Sequence, residues 1–267
     1  MAKLKTDLIN ASDLAAFAAN DSDFAFELRV LRQLRELGFH CEHSGTYEDP
    51  VSGKLRQFDL RANKSFAGVR VALAAECKNV RQYHPLLLSA VPRTEAESFH
   101  DCIEVSPPSP YGHWSSCNRL SGCDSVYPVG EGVGKKTDQV GRESATAGEL
   151  VSDDSETFEK LNQAVNSSRD LVRSYGSPSL SQPQNRRVIM PVLIVPDGVL
   201  WQVDYATDGT MVTNPRIIPA TTLFLGRSWE FDRGDGVQVR YSMSHLEIWT
   251  PAGLNSRIQT LSNRFTL

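Results

Sequence analysis

The chain has 267 residues, 40% apolar and 22% charged, and a net charge of −4. This is the composition of an ordinary globule able to bury a substantial core, as one elaborated domain or one domain plus an appendage. No apolar run approaches the length of a membrane-spanning helix, and five cysteines at unpaired spacings exclude a disulfide framework. The first residues carry acids too early for a signal peptide, so the expectation is a cytoplasmic protein with no membrane partner. The negative total is unevenly spread. Residues 24–81 hold ten Lys or Arg against seven Asp or Glu, whereas residues 85–156 hold five against twelve. A mildly basic early segment is therefore masked by an acidic middle, which permits phosphate binding without demonstrating it.

In chain order, residues 11–19 predict a short amphipathic helix packed on the domain. The cap-rich run Asn20-Asp21-Ser22-Asp23 opens a second helix over 24–37, stopped by Gly38, with a predicted apolar stripe of Phe24, Leu28, Leu31, Leu34 and Leu37. Glu27 lies along the margin of that stripe. It fits either a first-turn glutamate favoured by the helix dipole or a carboxylate of a metal site. Residues 39–47 predict a strand, and the turn 48–53 returns the chain as a hairpin. Two further strands follow. Over 55–62, Phe58, Leu60 and Ala62 fall on one face while Gln57, Asp59 and Arg61 fall on the other. A turn over 63–68 leads to the strand 69–78, which puts Val69, Val71, Leu73, Ala75 and Cys77 on the apolar face. Arg70, Ala72, Ala74, Glu76 and Lys78 take the opposite face. The two alanines leave room beside Glu76 and Lys78 for a substrate.

A helix glutamate, a strand aspartate and a Glu-x-Lys strand, in that order, resemble the PD-(D/E)xK nuclease superfamily. The matching positions are Glu27, Asp59, Glu76 and Lys78, and the proline of the name is absent because Phe58 precedes Asp59. The resemblance implies a restriction-endonuclease-like α/β fold, a mixed sheet flanked by helices. It also implies Mg2+ or Mn2+ held by Asp59, Glu76, the backbone carbonyl of Cys77 and Glu27. Lys78 would orient the attacking water and stabilise the developing charge. The implied partner is nucleic acid, DNA before RNA, with a homodimer allowed. The competing reading is a nuclease-fold protein that only binds nucleic acid or a protein partner.

The helix expected after the Glu-x-Lys strand is delayed. Residues 80–154 carry Pro-Pro, Ser-Pro and Gly-rich breakers without sustained periodicity, and read as a partly irregular insertion with one helix at most, over 93–104. His100, Cys102, His113, Cys117 and Cys123 lie there, at spacings that match no compact zinc pattern. Gly130 to Lys136 (GEGVGKK) lacks the Walker spacing and reads as a flexible basic turn. Helical spacing resumes at Ser155 and runs to Gly176, and its Gln163 is matched by a helix glutamine in branches of the superfamily, a possible substrate contact. Residues 187–195 read as a buried strand in which Pro191 requires a bulge or an edge. Residues 199–205 read as another strand, completing a five-stranded sheet and a nuclease-like core over 1–206. Residues 207–267 read as a β-rich extension of the same domain or equally as a small separate one, ending in a helix over 252–265, and Trp201, Trp229 and Trp249 read as core or interface residues.

Overall fold

The structure, a computed structural model, describes residues 7–20, 22–106, 115–143, 148–152, 155–176, 185–232 and 236–265. Among these, the chain is mixed α/β, with a large mixed sheet flanked by helices. At its centre β5 (Val69–Cys77) pairs antiparallel with β4 (Leu60–Phe66) and parallel with β11 (Asn185–Ile194). On the far side of β11 lies β15 (Gln238–Trp249), also parallel, followed by the antiparallel β14 (Ala220–Asp232).

Both faces of β5 are covered. Val71, Leu73, Ala75 and Cys77 join a core with Phe26, Val30 and Leu34 of α2 (Phe24–Glu36) and Leu254, Ile258 and Leu261 of α4 (Pro251–Phe265). Ala72 and Ala74 enter a second core with Leu161, Ala164 and Val165 of α3 (Ser155–Gly176). The space beside the small side chains is thus filled by a helix, not left open for substrate as the sequence suggested. The α2 stripe is also turned from its predicted position. Phe26, Glu27, Val30, Leu31 and Leu34 are buried, whereas Phe24 and Leu28 are 55% and 42% exposed. Leu31 and Leu34 belong to both candidate stripes. Phe26 and Val30 decide between them, because they lie about 200° around the helix from Phe24 and Leu28. Helix α1 (Ala11–Asn20) buries no residue, so the packing expected of it is not formed within this chain.

Among its described residues, the segment 80–154 is not an irregular excursion. It supplies β6 (Leu86–Pro92), β7 (Phe99–Val105), β8 (Ser115–Ser121), β9 (Gly132–Arg142) and β10 (Leu150–Ser152). β6 pairs with β9 and with β12 (Leu200–Asp204), β9 reaches β14, and β7 joins both β8 and β11. The Pro-Pro and Ser-Pro breakers lie outside the described residues, Gly122 and Gly130 turn the chain between strands with φ of 59° and 83°, and the burial of Leu86, Leu88 and Ala90 carries the period of two. The predicted helix over 93–104 is a short 3-10 turn at Glu95–Glu97 followed by β7. The GEGVGKK run enters β9 instead of forming a basic turn. Gly134 lets the strand approach Leu88, whose side chain would lie 2.4 Å from a Cβ at that position. The sheet accordingly has 13 described strands, with β13 (Arg216–Ile217) at one edge, in place of the five expected. Replacing residues 107–143 by a short linker would remove β8 and β9. We expect that protein to lose its single cooperative unfolding transition in a thermal melt.

Pro191 sits where one edge of β11 changes partner, from β7 at Asn185–Arg187 to β15 at Val192–Ile194. The intervening gap is bridged by the Tyr241 hydroxyl, which donates to the Ile189 carbonyl at 3.3 Å. A missing N–H is tolerated there, so a proline stands in a central strand without a bulge. No described helix is long and apolar enough to cross a membrane.

Candidate active site

The first strands form one hairpin with a kink. β1 (His40–His43) pairs with β4 in the large sheet, while β2 (Thr46–Glu48) and β3 (Leu55–Gln57) form a separate two-stranded ribbon. Between them Ser44 adopts a left-handed backbone (φ 56°), and its N–H donates to the Asp59 carbonyl at 3.0 Å. Phe58 N–H donates to Gly45 at 2.9 Å, and its ring lies where any Cβ on Gly45 would stand, 2.3 Å away. The strand predicted over 55–62 is therefore broken at Phe58–Asp59. It resumes at Leu60 and continues to Phe66, through the turn predicted over 63–68, and the chain reverses at Ala67–Gly68 instead.

The break frees Asp59 from the ladder. The β4–β5 register ends with Leu60 opposite Ala75, and the next inward-facing donor, Cys77 N–H, is taken by the Asp59 carboxylate at 2.8 Å. N–H and C=O of one strand residue point to the same edge, so the Cys77 carbonyl also faces Asp59. Its thiol lies in the core, where burial pushes it well above the ordinary cysteine range.

Glu76 is 1% exposed and sits on the α3 side of the sheet. From α3, the Lys160 ammonium reaches Asp59 Oδ2 at 2.7 Å and Glu76 Oε2 at 3.1 Å. The other Glu76 oxygen, Oε1, is buried without a hydrogen-bond partner. Burial first, then the Asp59 charge, pushes the Glu76 carboxyl up to about 8 despite Lys160. Burial pulls Lys160 down, but Glu76 and Asp59 outweigh it and hold the ammonium above the ordinary lysine range. Glu27, on the buried side of α2, accepts from His43 at 3.1 Å, and its carboxyl is raised by burial and then by Asp59. Asp59 thus raises both Glu27 and Glu76, standing between α2 and the end of β5 at the hairpin kink.

Lys78 does not join them. Its ammonium pairs with Glu156 in the first turn of α3 at 2.9 Å and with Asp23 at 3.5 Å. β5 ends at Cys77, and Asn79 N–H turns to the Asp23 carboxylate at 2.7 Å. The alternation that would have laid Lys78 beside Glu76 stops one residue too soon. Gln163 lies one turn beyond Lys160 on α3, half-buried, and its described contact is a backbone carbonyl 3.5 Å from the Tyr47 hydroxyl. Lys160 itself went unread in the sequence. Its signal was its place just before Leu161 and one turn before Ala164, on the edge of the α3 apolar stripe.

The donors suit a hard divalent cation in part. Asp59 and Glu76 converge on the point where the Lys160 nitrogen now stands, and Glu76 Oε1 lacks a partner. Among the described residues, no group of three or more His, Cys, Asp or Glu is placed to hold a metal ion. His113, considered with the cysteines for zinc, lies outside the described residues, and His100 is buried with its Nδ1 facing Ser125 and Val126. The chain matches no protein-family model, curated protein or solved structure.

Proposed function

We propose that this chain is a divalent-metal-dependent nuclease with a restriction-endonuclease-like core, acting on phosphodiester bonds in DNA. The observation that carries this reading is the buried Glu76, with one orphaned oxygen, sharing a cation position with Asp59. Two carboxylates at one strand end are costly to bury unless a positive charge belongs between them. A Mg2+ or Mn2+ ion there would polarise the phosphoryl group and acidify a bound water.

The residues divide the remaining work. Asp59, Glu76 and the Cys77 carbonyl would hold the ion. Lys160, displaced from between the carboxylates, would turn its ammonium to the attacking water and the scissile phosphate. In this reading Lys160 takes the role that the Glu-x-Lys spacing gave to Lys78. Glu27, fixed by His43, would bind a water of the metal shell or complete it. Lys78, tied to Asp23 and Glu156, braces the mouth of the site.

One observation favours a second reading. Lys160 already neutralises the pair, and such a cluster is complete without a metal, as in a nuclease-fold protein that only binds nucleic acid or a partner. Incubation of a labelled duplex with the purified chain separates the two. Cleavage with Mg2+ or Mn2+ that chelator abolishes supports the enzyme, and an intact duplex under every metal condition supports the binder.

A further inference from the structure

We infer that the β2–β3 ribbon is an arm that grips backbone phosphates of duplex DNA beside the carboxylate cluster. The identity of the polyanion rests on the nuclease reading. The geometry of the arm does not.

The ribbon stands outside the large sheet, yet it is firmly seated. Tyr47 is buried against α3, and Asn166 of α3 donates to Asp49 Oδ2 at 3.0 Å. The other Asp49 oxygen accepts from the backbone N–H of Val51 and Ser52 and from the Ser52 hydroxyl, which locks the turn. Such a loop pays little ordering entropy when it meets a ligand.

Its two faces differ. Residues directly opposite in an antiparallel pair share a face. Arg56 lies opposite Tyr47, and the next pair on that face is Asp49 with Lys54. Lys54 and Arg56 therefore project on the Tyr47 side, which is the side of α3, since the Tyr47 hydroxyl donates to the Gln163 carbonyl one turn after Lys160. Glu48, opposite Leu55, and Thr46, opposite Gln57, face away. Residues 51–57 are all exposed, and neither Lys54 nor Arg56 makes an ion pair with a described residue. Asp49, the one acid on that face, is held ionised by hydrogen bonds from neutral donors, so the face keeps one net positive charge. Two exposed cations outside any described ion pair thus stand beside the carboxylate cluster.

The reach fits. Arg56 precedes Asp59 by three residues, at most about 10 Å of chain, or roughly three nucleotides of rise along one DNA strand. A two-stranded ribbon is also of a width that the major groove of a duplex admits.

The test uses the full chain, a labelled duplex and chelator, so that binding is read without cleavage. Anisotropy is measured over a range of salt for wild type, for Lys54→Gln with Arg56→Gln, and for Glu48→Gln with Leu55→Ser on the opposite face. We expect the first double variant to bind at least about tenfold more weakly at low salt, with the slope of log affinity against log salt reduced by about two. The opposite-face variant should bind like wild type. Unchanged affinity and slope in the first variant, or an equal loss in the second, overturns the arm. So does a wild type that binds no duplex. A wild type that binds through these residues but never cleaves keeps the arm and removes the nuclease reading.

Discussion

Lys160→Met is expected to slow phosphodiester cleavage by about a hundredfold or more while leaving Mn2+ binding intact or tighter. The substitution keeps the aliphatic stem and removes only the ammonium that stands 2.7 Å from Asp59 and 3.1 Å from Glu76. A divalent ion competes with that ammonium for the same oxygens, so its removal favours the ion. What is lost, on the proposed nuclease reading, is the positive charge that would meet the scissile phosphate. Lys78→Met should lower the rate far less, because its ammonium is engaged by Asp23 and Glu156 and touches neither carboxylate of the pair. Cleavage rates and Mn2+ titrations of the two variants side by side check this. If Lys78→Met is the crippled one and Lys160→Met cleaves like wild type, the role assigned to α3 is wrong.

Glu76→Gln should make the metal-free protein more stable than wild type at pH 8 and give no such gain at pH 5. The sign follows from the raised carboxyl. Glu76 moves from an ordinary value of 4.5 up to about 8, by burial and then by Asp59. Between these values the folded state holds a proton that the unfolded state has released. The stability linked to that proton is complete below 4.5 and is lost as pH rises towards 8, by about 1.4 kcal/mol per unit at most. Glutamine keeps the shape and carries no titrating proton, so the decline flattens. For a chain of this size the gain appears as about 2–4 °C of melting temperature per kcal/mol. Melts of both proteins from pH 5 to 8 measure it, and parallel pH profiles would show that Glu76 does not titrate in this window. The same variant should lose Mn2+ binding, which separates electrostatic relief from simple repacking.

Much of the centre of this fold is written in local pattern. The period of two in β5 and the extents of α2 and α3 were legible, but the buried face of α2 was not, because Phe26 and Val30 take the place read for Phe24 and Leu28. Nor was the kink at Ser44–Gly45. It depends on the Phe58 ring packing against a residue 13 positions earlier, and local propensity carries no trace of that contact. The strands of 80–154 were hidden for a similar reason. β8 is rich in serine and β9 in glycine, and the stability of these strands comes from partners as distant as β12 and β14. Asp59, Glu76 and Glu27 could be singled out because a helix glutamate, a strand aspartate and a strand Glu-x-Lys in that order resemble the PD-(D/E)xK superfamily. Lys160 could not be paired with them, since it lies 101 residues from Asp59 and 84 from Glu76. Only the packing of α3 over Ala72 and Ala74 places it at the site.

The most direct measurement is a calorimetric Mn2+ titration of the metal-free chain near pH 7, in two buffers of different ionisation heat. A cation site at Asp59 and Glu76 should take up one Mn2+ with millimolar or tighter affinity and release about one proton, because the Glu76 carboxyl must give up its proton to bind. Both signals should vanish in Asp59→Ala and in Glu76→Ala. Absence of Mn2+ binding by the wild-type chain at millimolar concentration would contradict the cation site. The three carboxylates and Lys160 would then be a closed ion-pair cluster at the end of a sheet.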